Sequence, residues 1–399
     1  MKRISWLLLA AACGGTSGPG APGSPQSASN ALAVTVDQGP AALLAKNQVS
    51  ANTLYTTVTV CTPGNAGACQ TIDHIQVDTG SVGLRIVASA LNGAAAPAPV
   101  KDSSGNALVE CVQFVDSYDW GSVVTADVGL GSRTLAGLRV QLVGDSAAGN
   151  APAGCVQGTP LQTVGQFGAN GLLGIGYFHQ DCGGACAAQP FPGNYYTCPA
   201  GNCSPVAVPL ASQLQNPAAQ LAADNNGVVI QLPSVASPGA PSLGGTMLFG
   251  INTQANNALG GAALMGVDES GTFTTGFQST AVAGSFIDSG SNAYFFSTRS
   301  IPNCTGSAGF FCPPAEVPEA ATMTFSSGGT RTVNFIVDNA DALFTSDTNA
   351  AFPGLAGSNG SFNGTSGFDW GLPFFYGRTV FVLFENQTLG GTAGPAVGF

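Results

Sequence analysis

His74-Ile75-Gln76-Val77-Asp78-Thr79-Gly80-Ser81 and Gly284-Ser285-Phe286-Ile287-Asp288-Ser289-Gly290-Ser291 are the two stretches that decide how this chain folds. Each is a strand-like run ending in Asp, a hydroxyl residue, Gly and a second hydroxyl residue, and the two aspartates stand 210 residues apart. No other aspartate of the sequence has this context. In a chain so rich in Gly and Ser, about 0.1 chance matches to the four-residue pattern are expected. One copy alone reads most simply as a surface turn in which Asp caps its own loop. Two copies, each behind a strand, put one carboxylate in each of two lobes and let them meet on a pseudo-twofold axis.

Such a pair has a definite chemistry. Two carboxylates a few ångströms apart cannot both ionise cheaply, so they share one proton over a wide acidic range. One then acts as base toward a water while the other acts as acid toward an amide carbonyl. No metal and no cofactor is required. Gly80 and Gly290 allow the tight turn and bring backbone N–H groups to the carboxylates. The hydroxyls of Thr79 and Ser289 can reach the opposite loop, and Ser81 and Ser291 complete the support of the dyad.

Composition agrees with two β lobes. The chain has 399 residues, 44% of them hydrophobic and 8% charged, which is ample for a large core. With Gly 56 and Pro 25, it favours short strands joined by many turns. Such strands are expected at Leu54 to Val60 and Thr71 to Val77, around a Pro-Gly turn, and again at 123–130, 138–143, 228–232, 246–250, 285–288, 321–325, 332–337 and 379–384. The best helix is expected around Pro209 to Ala223. A net charge of -11 with only ten Lys and Arg repels phosphate backbones, which excludes nucleic acid as a partner.

The N-terminus, Met1-Lys2-Arg3 followed by the apolar run from Ile4 to Ala12, has the layout of a secretory signal too short to span a bilayer. It ends in Ala10-Ala11-Ala12-Cys13-Gly14, which resembles a lipobox and makes Cys13 the expected lipidation site. Removing Cys13 from the eleven cysteines leaves ten, an even number suited to five disulfides in an oxidising compartment. Cys61 with Cys69 and Cys304 with Cys312 are expected to close local loops. Cys182, Cys186, Cys198 and Cys203 could instead bind zinc, although their spacing lacks paired Cys-x-x-Cys knuckles. Residues 14–33, mostly Gly, Ser, Pro and Ala, read as a flexible tether. The expected division is therefore a signal at 1–13, the tether at 14–33, an N-terminal lobe at 34–250 carrying Asp78 and a C-terminal lobe at 251–399 carrying Asp288.

From Leu54 to Phe399 the chain resembles the pepsin-like aspartic peptidases. Tyr118-Asp119-Trp120-Gly121-Ser122 is similar to that family's flap tip, which would make Tyr118 the flap tyrosine, with Gly121 and Ser122 beside it. Ala169 to Gly176 resembles the strand behind the first catalytic loop, Gly245 to Gly250 the strand closing the first lobe, and Trp370 to Phe384 the C-terminal run. The resemblance implies an all-β, bilobal fold with few short helices and a cleft between the lobes, and a monomeric endopeptidase acting on extended polypeptide. Bacterial lipoproteins with an inferred pepsin fold share the Cys61-Thr62-Pro63-Gly64 loop and the Asp78 to Arg85 turn. They imply a lipid-anchored place in the cell envelope, at the outer membrane or facing the periplasm, with the membrane touched through the anchor only.

The chain departs from pepsins at Val82-Gly83-Leu84-Arg85, where they carry a hydrogen-bonding run that reaches the flap. Arg85 either faces the cleft, where its charge would favour ionised carboxylates, or faces solvent. The departure supports an alternative function, a non-catalytic pepsin-fold protein that binds a peptide or glycan. The two histidines, His74 and His179, are too few and too separated for a metal site or a Ser-His-Asp triad, and His74 reads as structural. Phe374, Phe375, Tyr376, Phe381 and Phe384 read as core.

Overall fold

A computed structural model describes residues 30–102, 104–358 and 367–399, so the signal, Cys13 and most of the tether lie outside the described residues. The chain is mostly β, with four short α-helices among the described residues: Ala41–Leu44, Val164–Phe167, Gly184–Ala188 and Ala340–Leu343. None of the described helices is long and apolar enough to cross a membrane. The helix expected near Pro209 is a single 3-10 turn, Leu210–Ser212. Pro209 and Pro217 remove donors there, and the buried side chains of Gln213 and Asn216 bond to backbone carbonyls instead.

Ordered structure begins earlier than expected. Ala31–Val36 is a strand, not the end of a tether, because Leu32, Val34 and Val36 alternate into the core. Asn30, fully buried, donates to the carbonyl of Phe249 at 3.0 Å. This strand pairs with Leu243–Phe249, which pairs with Gly227–Gln231, then Thr379–Leu383, Ala396–Gly398 and Met265–Gly266, all antiparallel. Three of the six strands come from each side of residue 250, so a boundary at 250/251 cuts through a shared platform. The lobes are two rims on that platform.

In the first lobe Leu54–Cys61, Cys69–Asp78, Ser117–Leu130 and Arg133–Val143 form long antiparallel pairs whose apolar faces make the core. In the second, Phe273–Phe277, Thr280–Ile287, Val317–Thr324 and Thr330–Val337 do the same around Phe277, Phe296, Phe335, Phe368 and Trp370. The C-terminal aromatics Phe374, Phe375, Tyr376, Phe381 and Phe384 are all buried. Five disulfides are present: Cys61–Cys69, Cys111–Cys155, Cys182–Cys186, Cys198–Cys203 and Cys304–Cys312. The four cysteines considered for zinc are therefore consumed in two of them. Five disulfides are consistent with an exported protein.

Candidate active site

Both Asp loops emerge from the same local construction. In the first lobe Gly171–Ile175 lies between Cys69–Asp78, to which it is parallel, and Val82–Val87, to which it is antiparallel. In the second, Asp369–Trp370 lies parallel to Thr280–Ile287 and antiparallel to Tyr294–Phe295. The strand inserted behind each loop fixes where the Asp leaves the sheet. The carbonyl of Ser81 accepts from the Gly176 N–H at 2.8 Å, and that of Ser291 accepts from the Leu372 N–H at 2.7 Å.

The carboxylates are supported in matching ways. The Gly80 N–H donates to Asp78 Oδ1 at 2.7 Å and the Ser81 hydroxyl to Asp78 Oδ2. The Gly290 N–H donates to Asp288 Oδ1 at 2.7 Å and the Ser291 hydroxyl to Asp288 Oδ2 at 2.8 Å. Thr79 and Ser289 cross between the loops. The Thr79 N–H donates to Ser289 Oγ at 3.1 Å and the Ser289 N–H to Thr79 Oγ1 at 3.0 Å, while Ser289 Oγ donates to the Val77 carbonyl at 2.8 Å and Thr79 Oγ1 to the Ile287 carbonyl at 3.4 Å. Four bonds related by a twofold lock one loop to the other.

That lock turns the Asp78 and Asp288 carboxyls toward one another: a Cβ on Gly290 would lie 2.6 Å from Asp78 Oδ1 and 3.1 Å from Asp288 Oδ1. Asp288 keeps partial exposure, yet its pKa is held well above the ordinary carboxylate value, first by burial and then by the charges of Asp78 and Asp369. The arrangement can hold a proton on one carboxyl while the other accepts one.

Arg85 faces neither the cleft nor solvent. Its side chain is fully buried; Nη1 donates to the Val82 carbonyl at 2.7 Å and Nη2 to Glu110 Oε1 at 2.8 Å. Asp119 and Asp181 complete the surroundings, each 3.8 Å from a guanidinium nitrogen. Burial drives the Glu110 carboxyl well up and that of Asp119 to about 6, with Arg85 opposing both. Tyr195 donates to Asp181 at 2.8 Å, and Gln141 donates to Asp119 at 2.7 Å. An ionic cluster thus joins the strand that follows the first Asp loop to the hairpin made by Leu108–Gln113 and Ser117–Leu130. None of its acids was singled out from the sequence, because they are scattered along the chain with no shared motif.

The hairpin corrects the expected flap. Gln113 pairs with Tyr118, and the Phe114 N–H donates to the Ser117 carbonyl at 2.8 Å, so the tip is Phe114 to Ser117. Tyr118, Gly121 and Ser122 all lie in the strand that follows. Tyr118 packs on the cluster of Trp120, Tyr196 and the Cys111–Cys155 disulfide. Gly121 is needed for close approach, since a Cβ there would lie 1.9 Å from the Leu142 carbonyl oxygen. The Ser122 N–H and hydroxyl both donate to Asp145 at 2.9 Å. The Tyr-x-x-Gly-Ser residues run along one strand of the hairpin and do not form its tip.

His74 is tied into the fold: Nε2 lies 3.2 Å from Asp37, and this contact raises the His74 pKa.

A family model described as "Protein of unknown function (DUF3443)" matches residues 26–399. The chain belongs to DUF3443. No curated protein matches it. Among solved structures, this DUF3443 chain is similar to the aspartic proteinase from Irpex lacteus, with 14% identity, a TM-score of 0.49, and coverage of 92% of this chain and 96% of that one. At that identity and score the likeness says nothing of activity, which has to be argued from the side chains.

Proposed function

We infer that this DUF3443 chain is an exported aspartic endopeptidase, anchored through a lipid on Cys13 in the bacterial envelope and acting on extended polypeptide. The observation that carries this is two carboxyls facing one another, each with its own Gly N–H and Ser hydroxyl, across a reciprocal Thr79–Ser289 lock. Asp288, whose burial and charged neighbours favour the protonated form, is the acid, and Asp78 is the base. Asp78 takes a proton from water as the water oxygen bonds to the amide carbon. Asp288 gives its proton to the carbonyl oxygen. The tetrahedral intermediate collapses as the C–N bond breaks: Asp78 gives the departing nitrogen the proton it took from water, and one hydroxyl proton of the intermediate returns to Asp288, leaving one proton on the dyad as at the start. Catalysis of this kind needs neither metal nor cofactor.

A cavity of about 340 Å³ is lined by Asn292, directly after the second loop, by Val49, Ala51, Phe310, Phe344 and Phe352, and by the polar Ser50, Ser346 and Asn349. Its mixed walls suit a substrate side chain with both apolar and polar parts. The alternative, a cleft that binds without cutting, drew on the Val82 to Arg85 departure and the hydrogen-bonding run lost there; the guanidinium is turned to Glu110, Asp119 and Asp181, so the charge of Arg85 lends it no support. The test is cleavage of unfolded protein by the disulfide-bonded chain between about pH 3 and 7, with and without a statine-type inhibitor. Inhibitor-sensitive turnover is expected; turnover indifferent to the inhibitor would assign cleavage to another group.

A further inference from the structure

Four bonds of the lock obey the twofold, and a fifth does not. Gln76 stands two residues before Asp78 in the strand Cys69–Asp78, so the two side chains leave the same face of that strand. Its amide crosses to the other loop, where Nε2 donates to the Gly290 carbonyl at 2.8 Å. The equivalent place in the second lobe, two residues before Asp288, is held by Phe286. A phenyl ring can give no such bond to Gly80. The fold thus accepts an apolar side chain at this position, and the amide of Gln76 is not there for packing.

Gly290 is a sensitive place for that bond. Its N–H donates to Asp288 Oδ1 at 2.7 Å, and a Cβ on it would lie 2.6 Å from Asp78 Oδ1, so this one residue borders both carboxyls. The next residue, Ser291, gives its hydroxyl to Asp288 Oδ2 at 2.8 Å. The carbonyl after that, of Asn292, accepts from Asn52 Nδ2 at 2.8 Å. Asn52 lies just ahead of the strand Leu54–Cys61, is fully buried, and is bonded as well to Phe352 and Tyr376. Amides reaching over from the first lobe therefore grip the second loop on both sides of Ser291. The first loop is held differently: its Val82 carbonyl, at the place equivalent to Asn292, accepts from Arg85 of the same lobe at 2.7 Å.

We propose that Gln76 is a positioning residue of the dyad: by holding the Gly290 carbonyl from the strand that carries Asp78, it fixes the distance at which the two carboxyls share a proton. The inference rests on the dyad reading above. Without the amide, Gly290 can draw back from Asp78 and its N–H turns away from Asp288 Oδ1, while Asn52 still keeps the loop attached at Asn292. The carboxyls then separate. Two carboxyls further apart ionise more independently, and the sharing of one proton weakens.

The experiment is an NMR titration, from about pH 2 to 9, of the disulfide-bonded full chain labelled at aspartate Cγ and along the backbone, for the wild type, Gln76→Met and Gln76→Glu. In the wild type the dyad is expected to titrate in two steps about two pH units or more apart. Gln76→Met, which keeps the length and removes the donor, should bring the steps about one unit closer. Gln76→Glu can donate only while the new carboxyl is protonated. Its Gly290 and Ser291 backbone signals should therefore match the wild type near about pH 3 and those of Gln76→Met above about pH 6. This variant, almost identical in shape to the wild type, carries the test alone if Gln76→Met does not fold. If the chain cleaves, kcat should fall about tenfold in Gln76→Met at every pH, as for a displacement of a fraction of an ångström, and in Gln76→Glu only as the new carboxyl ionises. An unchanged separation of the two steps in Gln76→Met, or loop signals in Gln76→Glu that do not follow its ionisation, overturns the proposal. A wild type with no two-step titration would defeat the dyad reading and this one together. Steps that close up in Gln76→Met without cleavage by the wild type would defeat the peptidase reading and leave this one standing.

Discussion

At Gly290 a methyl group would sit 2.6 Å from Asp78 Oδ1, and at Gly80 it would sit 2.8 Å from the Asp288 carboxyl. The loops approach so closely that each glycine is a wall of the other lobe's carboxylate site. Gly290→Ala should therefore displace the Asp78 carboxyl without disturbing the core. A shift of about 1 Å in a reacting group lowers turnover by roughly a hundredfold, so kcat is expected to fall by that factor while the melting temperature changes little. A large fall in melting temperature would instead show that the glycine serves the fold. Asp78, Asp288 and their hydroxyl and glycine neighbours were legible in the sequence because all their partners are either next to them or in the twin motif. Asp369 was not, since a single Asp between Phe368 and Trp370 reads as part of a buried strand.

At the scale of elements, the Arg85 cluster holds the first Asp loop against the hairpin. Replacing Arg85 by Met leaves Glu110, Asp119 and Asp181 buried without their cation, and loss of one partner from a buried ion pair typically costs about 3–5 kcal/mol. Urea unfolding at pH 7 should show a loss of that order, and a smaller one near pH 4, below the raised pKa values of Glu110 and Asp119. A loss that does not depend on pH would mean that packing of the side chain matters and its charge does not. Proximity of Arg85 to these acids could not be read from the chain, because Glu110 and Asp119 enter through the pairing of Leu108–Gln113 with Ser117–Leu130 and Asp181 through a loop. The same pairing register, invisible in a short motif, moved the hairpin tip to Phe114 to Ser117.

For the whole molecule, the shared platform explains why the lobes could be recognised and their boundary could not. Strand patterns are local, whereas the pairing of Ala31–Val36 with Leu243–Phe249 and of Gly227–Gln231 with Thr379–Leu383 spans the length of the chain. The buried acids also set how the molecule responds to pH. Glu110, Asp119, Asp288 and Asp369 all have pKa values raised on folding, Asp119 to about 6 and Asp369 to about 8. Above the unfolded values near 4, the folded chain thus binds more protons than the unfolded one, and stability must fall as pH rises through the raised values. His74, raised by Asp37, adds to the same trend, while Asp37, lowered by His74, contributes stability that is lost only in acid. The melting temperature is expected to be highest near pH 5 and to decline through pH 8; a melting temperature that climbs steadily from pH 5 to 8 would contradict this. The most direct measurement of the central claim is the rate at which disulfide-bonded wild type and Asp78→Asn cleave the same unfolded protein at about pH 4. The expected result is cleavage by the wild type and a loss of about a thousandfold in the variant, with both chains equally folded; equal rates, or no cleavage by either, would contradict the assignment of Asp78 and Asp288 as a working pair.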